Sequence, residues 1–208
     1  MIFDIVKKQV VRHVARTRGW GIVRNIILLS VLLLMASTNT AKATDGVYLG
    51  FGLLQNTLTS NDFSPLVSSA YGPNFLIGYK FGKLGVEGDF ITSKHHGKAG
   101  YSNADLFGYS LNLVYPFWSN VNNRGNLVQY CLLGGYGYYE IDVSNGNNLR
   151  GNGYNFGLSQ NYYFTEKVAQ VMRIVYRMIE YDKTNNAAIP TPVRGNTITV
   201  ELGITHQF

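Results

Sequence analysis

One cysteine, Cys131, serves all 208 residues. A single thiol closes no intrachain disulfide, so a chain exported to an oxidising compartment must draw its stability from elsewhere. Long apolar runs are lacking as well. The most hydrophobic stretch, IILLSVLLLMAS at 26–37, falls short of the roughly 20 residues that a spanning helix needs. Positive charge is scarce outside the first segment. The formal excess of +6 is concentrated in residues 1–43, where Lys7, Lys8, Arg12, Arg16, Arg18, Arg24 and Lys42 face only Asp4, leaving 11 basic and 11 acidic residues in 44–208. A neutral body removes the electrostatic footprint of a nucleic-acid binder. The glycines of YLGFG and LLGGYGYYE do not complete G-x-G-x-x-G, which excludes that form of nucleotide binding.

What the N-terminus does have is the order of a cleavable secretory signal: positive charge, a short apolar core, then small residues. Ala41 and Ala43 flank Lys42 as a small-x-small cleavage site, and the mature chain is expected to begin near Thr44. The expected organisation is therefore a signal peptide with an extended leader over 1–43 and one domain over 44–208. About 25 residues precede the apolar core, while VRNIILLSVLLLMASTNTAKA from Val23 is an ordinary signal peptide by itself. Translation from Val23 and a genuinely extended leader are both open.

From Thr44 onward helical periodicity is missing, and eight segments alternate with period two. They run over 46–55, 72–81, 84–94, 104–117, 126–141, 153–164, 168–182 and 196–208. Lengths of about 10 to 16 exceed a usual soluble strand and suit a tilted bilayer span. The connections alternate in length. GK, WSNVNNRG and TEK stand against NTLTSNDFSPLVSSAY, HHGKAGYSN, DVSNGNNLRGN and KTNNAAIPTPVRG, the asymmetry of a transmembrane barrel with short turns at one rim and long polar loops at the other. The pattern predicts an all-β fold, an eight-stranded antiparallel up-and-down transmembrane β-barrel. Aromatic girdles are expected from Phe81, Phe117, Trp118, Phe164 and Phe208 at the short-turn rim. At the other rim, Phe90, Tyr138, Tyr139, Tyr154 and Tyr181 are expected.

The sequence closes on GNTITVELGITHQF, with Ile198, Val200, Leu202, Ile204, His206 and Phe208 on one face. At this point the chain resembles the OmpA/OmpX-type eight-stranded outer-membrane β-barrel family. The resemblance spans 46–208 as a pattern rather than a diagnostic internal motif. It implies that Val200, Leu202, Ile204 and Phe208 form the signal read by the barrel-assembly machinery, with His206 departing from the commoner aromatic or aliphatic residue. It also implies the bacterial outer membrane, reached through Sec export and periplasmic chaperones, with outer-membrane lipid and lipopolysaccharide as surroundings.

By register, Lys80, Glu87, Asp89, Arg173, Arg177 and Glu201 point inward. An interior this narrow is filled by side chains, and buried charges must pair, so these residues read as an interior ion-pair network that plugs the barrel, with a gate as the other reading. Arg173 and Arg177 are expected to bracket Glu201. Cys131 reads as inert interior filler. For catalysis the candidates are His95, His96 and Ser102, but adjacent histidines in extended chain point opposite ways and no acidic partner is marked; they read as a solvated loop. No cofactor, metal or nucleic acid is implied. The expected function is a structural or surface-interaction role through four external loops of about 50 residues. A small pore and a lipid A-modifying enzyme are the alternatives.

Overall fold

The computed structural model describes residues 45–208, apart from 100, 145–146 and 186. The expected signal segment, with Ala41, Ala43 and Val23, lies outside the described residues. Strands β1 (Gly46–Leu58), β2 (Ser69–Phe81), β3 (Leu84–His95), β4 (Ala104–Val121), β5 (Leu127–Val143), β6 (Asn147–Tyr163), β7 (Val168–Thr184), β8 (Ala187–Arg194) and β9 (Thr197–Gln207) are joined by antiparallel pairing. Each of β1 to β7 pairs with its successor, β9 pairs with both β7 and β1, and the eight long strands close on themselves. Closure leaves the long strands no free edge, a requirement in lipid. Among the described residues no helix is long and apolar enough to cross a membrane; the crossing is made by strands.

A single row of paired residues shows the stagger. It passes through Tyr48, Gly78, Glu87, Asn112, Gly135, Asn155, Arg177 and Thr197, and returns to β1 at Leu58, ten residues beyond its start. Stagger and strand tilt are linked in a closed sheet, so residues level in one row sit at different heights around the wall.

Period-two alternation decides what faces lipid. Phe75, Ile77 and Tyr79 on β2 and Leu111, Leu113 and Tyr115 on β4 are exposed, while Asn74, Leu76, Ser110, Asn112 and Val114 between them are buried. At the short-turn rim Tyr79 stacks with Phe81, Trp118 packs tilted against Tyr130, and His206 meets Phe208 edge-on. Toward the other rim Tyr109 stacks on Tyr138, and Tyr136 meets Tyr154 edge-on. Three girdle expectations are corrected. Tyr139 and Tyr181 are 0% exposed inside the barrel and Phe164 is buried. Tyr138 and Tyr139 are consecutive in a strand and cannot face the same way; Tyr181 keeps the inward parity of Arg173 and Arg177.

The short turns need backbone freedom at two places. Gly82 in the two-residue turn has φ of 57° and Gly125 has φ of 80°, left-handed values that favour glycine. The long loops differ from expectation. DVSNGNNLRGN is mostly strand, because β5 continues to Val143 and β6 starts at Asn147. The connection after β7 contains β8, which turns back onto β7 with an irregularity between Tyr181 and Lys183. Its Pro190 and Pro192 cannot donate to a ladder, which blunts an exposed edge against further pairing. Much of the predicted loop length is thus wall extended above the lipid-facing band.

Candidate functional site

The interior is layered. At the long-loop end Leu54, Leu58, Ile91, Leu106, Tyr139, Ile141, Ile179 and Tyr181 form an apolar core joined by Phe63 and Leu66 from the β1–β2 connection. Phe63 ends a 3-10 turn over Asn61–Phe63 and meets the Tyr181 ring edge-on at 5.8 Å. The backbone of the same loop bonds to the β3–β4 loop, from the Val67 amide to the His96 carbonyl at 2.7 Å and from the Lys98 amide to the Pro65 carbonyl at 2.8 Å. The Arg194 amide donates to Asp62 at 3.1 Å. The loops over the mouth are tied together rather than splayed into solvent.

Below that cap the interior turns polar. Arg173 makes two parallel hydrogen bonds of 2.5 Å to the carboxylate oxygens of Glu87, whose Oε2 also accepts from Tyr48 at 2.8 Å. Arg177 contacts Asp89 at 2.8 Å and Glu201 at 3.0 Å, and it donates to Thr199 as well. Glu201 accepts from Asn74 at 3.2 Å. Beside this network Tyr139 donates to Asn155 at 2.6 Å and Asn155 to Asn112 at 3.1 Å. All three carboxylates and both guanidiniums are 5% exposed or less. The bidentate Arg173–Glu87 pair, in which Glu87 Oε2 also accepts from Tyr48, is the form in which buried charge is best tolerated, while Asp89 Oδ1 has no hydrogen-bond partner among the described residues.

Five of the six inward charges are therefore brought together, in a pairing that differs from the expected one. Arg173 is the direct register partner of Glu201, yet its guanidinium crosses to Glu87 on β3, four strands away in either direction around the wall. Lys80 stands apart near the short turns. Its ammonium lies 5.9 Å from the centre of the Tyr163 ring, and among the described residues no carboxylate is within ion-pair distance of it. Tyr48, Asn74, Asn112, Tyr139, Asn155 and Thr199 were missed as members of the network. Their signal was present, since each occupies the inward parity of its strand, but neutral polar residues draw less notice than charges.

Two inward glycines make room for the large rings. A Cβ at Gly108 would collide with the ring carbons of Tyr139, and one at Gly78 with those of Tyr48. Cys131 is buried beside Val114, Leu133 and Val175.

The histidine candidates separate. His95 ends β3 and is buried, its Nδ1 3.0 Å from the Val67 carbonyl and its Nε2 3.3 Å from Ser93 Oγ, whereas His96 is exposed. The solvated-loop reading is corrected for His95, because strand alternation continues one residue further than expected and turns that ring inward. Ser102 makes no contact with either ring among the hydrogen bonds of the described residues. At the closing strand Val200, Ile204 and Phe208 are exposed on the outer face, Leu202 is half-buried there, and the Phe208 amide donates to the Val47 carbonyl at 3.0 Å.

Comparison with solved structures finds the same architecture elsewhere. Neisserial surface protein A (NspA) aligns at 15% identity over 78% of this chain and 97% of its own, with a TM-score of 0.53. The outer membrane protein OprG from Pseudomonas aeruginosa aligns at 16% identity over 81% of this chain and 97% of its own, with a TM-score of 0.52. At such identities the likeness speaks for the fold alone. No curated protein matches the sequence significantly. The outer membrane protein beta-barrel domain family matches residues 26–205, and with the closed eight-stranded wall and its lipid-facing band already described, the chain belongs to that family of outer-membrane β-barrels.

Proposed function

We propose that the protein is a non-enzymatic barrel serving envelope structure or surface interaction through its external loops. The observation that carries this reading is the apolar cap at the mouth, Phe63 and Leu66 seated among Leu54, Leu106, Tyr139 and Tyr181. A mouth sealed by packed side chains above a paired polar layer suits a rigid platform better than a conduit. Loops held by one another on such a base are where binding residues tend to reside. The separation of His95, His96 and Ser102 supports a non-catalytic role, since a nucleophile and its base must lie within hydrogen-bond reach. Protease shaving of the loops on intact cells tests the reading. Adhesion or serum resistance should fall while the barrel stays in the membrane; cells unchanged by complete shaving would count against it.

The interior ion pairs favour one other reading, a pore that opens when the pairs exchange. The plug predicts no steady single-channel conductance for the purified protein in planar bilayers, and none gained by Glu201→Ala. Regular conductance steps that grow in that variant would replace the plug with the gate.

Export through Sec by the 1–43 segment and escort by periplasmic chaperones belong to the same proposal, as do insertion by the barrel-assembly machinery and residence beside lipopolysaccharide. Val200, Leu202, Ile204 and Phe208 are the proposed assembly signal, supported by their outward placement on the strand that closes the barrel. Deleting Phe208 should lower the heat-modifiable, assembled form on unboiled gels far more than total synthesis. Equal loss of both would remove the signal role.

A further inference from the structure

Among the described residues the interior opens into a chamber at the end opposite the capped mouth. It holds about 50 Å³, room for roughly three or four waters by that measure. Its lining includes Lys80, Lys167, Arg173, Tyr163 and Cys131, and contains no carboxylate. Glu87 stands behind Arg173 and is consumed by it. Asp45, at the rim, accepts from the Gly82 amide at 2.9 Å. Lys80 is partly buried with no acceptor in reach among the described residues, and Lys167 is exposed at the chamber's edge. Arg173 is 5% exposed, and its guanidinium is held by Glu87. A partly buried ammonium against an aromatic wall is costly unless a counter-charge accompanies it.

We propose that this chamber is a binding site for a small oxyanion, a phosphate or carboxylate entering from the periplasm, with Lys80 and Lys167 supplying the charge and no carboxylate in the lining to compete for it. The chemistry is shared by a free ion and by the acidic end of a larger molecule. In either case the group enters from the short-turn face, because the apolar cap seals the other.

The test is a titration of isotopically labelled protein, purified from membranes into neutral detergent, followed by NMR at constant ionic strength. One arm uses inorganic phosphate, and a second uses a dipeptide with a free C-terminal carboxylate beside its amidated form. Saturable shifts confined to the chamber, at Gly85 and Cys131 among others, are expected in at least one arm. Phosphate alone would identify a free ion, and the free-acid dipeptide alone an end group. Lys80→Met should weaken the constant about tenfold, the scale of one charged hydrogen bond. Lys80→Arg should retain it, and Lys183→Met, at the far rim, should leave it unchanged. Absence of saturable shifts in every arm for the unaltered protein would overturn the site. So would an affinity indifferent to Lys80→Met in a variant that remains heat-modifiable.

Discussion

Replacing Glu87 with Ala should lower the urea midpoint of the purified barrel in detergent more than any other single carboxylate change in the interior. Glu87 is the sole ion-pair partner of Arg173 among the described residues, engaging it through both oxygens, and it also holds the Tyr48 hydroxyl. Removing one partner of a buried pair leaves an uncompensated charge and costs about 3 to 5 kcal/mol. Glu201→Ala should cost less, since Arg177 keeps Asp89 at 2.8 Å and three carboxylates facing two guanidiniums become two facing two. Combining Glu87→Ala with Arg173→Met should recover part of the loss, because the stranded charge goes with its partner. A midpoint that falls further for Glu201→Ala than for Glu87→Ala, or an additive double variant, would mean that Arg173 does not cross the barrel to β3.

The second large effect is expected at Gly108. Valine there must occupy space already taken by the Tyr139 ring, which is fully buried and donates to Asn155. Overpacking of this kind costs about 1 to 3 kcal/mol, and displacing the ring also strips Asn155 of its donor. Gly134→Ala on the neighbouring strand is the control, because a Cβ at Gly134 has only the Asn155 carbonyl oxygen nearby, at 3.9 Å. Its midpoint should scarcely move. Tyr139→Leu added to Gly108→Val should restore some of the loss, since the smaller side chain vacates the contested volume. If Gly108→Val is tolerated as well as Gly134→Ala, the Tyr139 ring does not lie against β4.

Strand number, closure and the inward parity of the charges were legible because alternation is a property of each strand alone. Phe75, Ile77 and Tyr79 announce an outer face wherever β2 ends up. The partner of Arg173 was not legible for a corresponding reason. Adjacent-strand register suggests Glu201, and the pairing is indeed direct. Which residue lies opposite across the lumen depends on the ten-residue stagger of the closed wall, a quantity that no strand carries by itself. The loops were misread on a similar principle. DVSNGNNLRGN and KTNNAAIPTPVRG have the composition of coil, but neighbouring strands that continue past the lipid offer their backbones ready partners. Tertiary pairing then overrides weak local preference. His95 was lost by one residue at a strand end, where composition changes before the geometry does.

The Arg173–Glu87 and Arg177–Asp89 pairs join opposite walls, β7 to β3, while neighbouring strands are held by their ladders. Such pairs have their geometry only once β1 has met β9 and the lumen exists. They are therefore absent from any open, half-zipped sheet that precedes closure, and they contribute to leaving the native state more than to reaching it. Interactions missing from the transition state slow unfolding without speeding folding. The ionic layer thus acts as a latch set by the final step of assembly. In variants that loosen it, the change should appear in the unfolding arm of the kinetics, with the rate of barrel formation nearly unaltered.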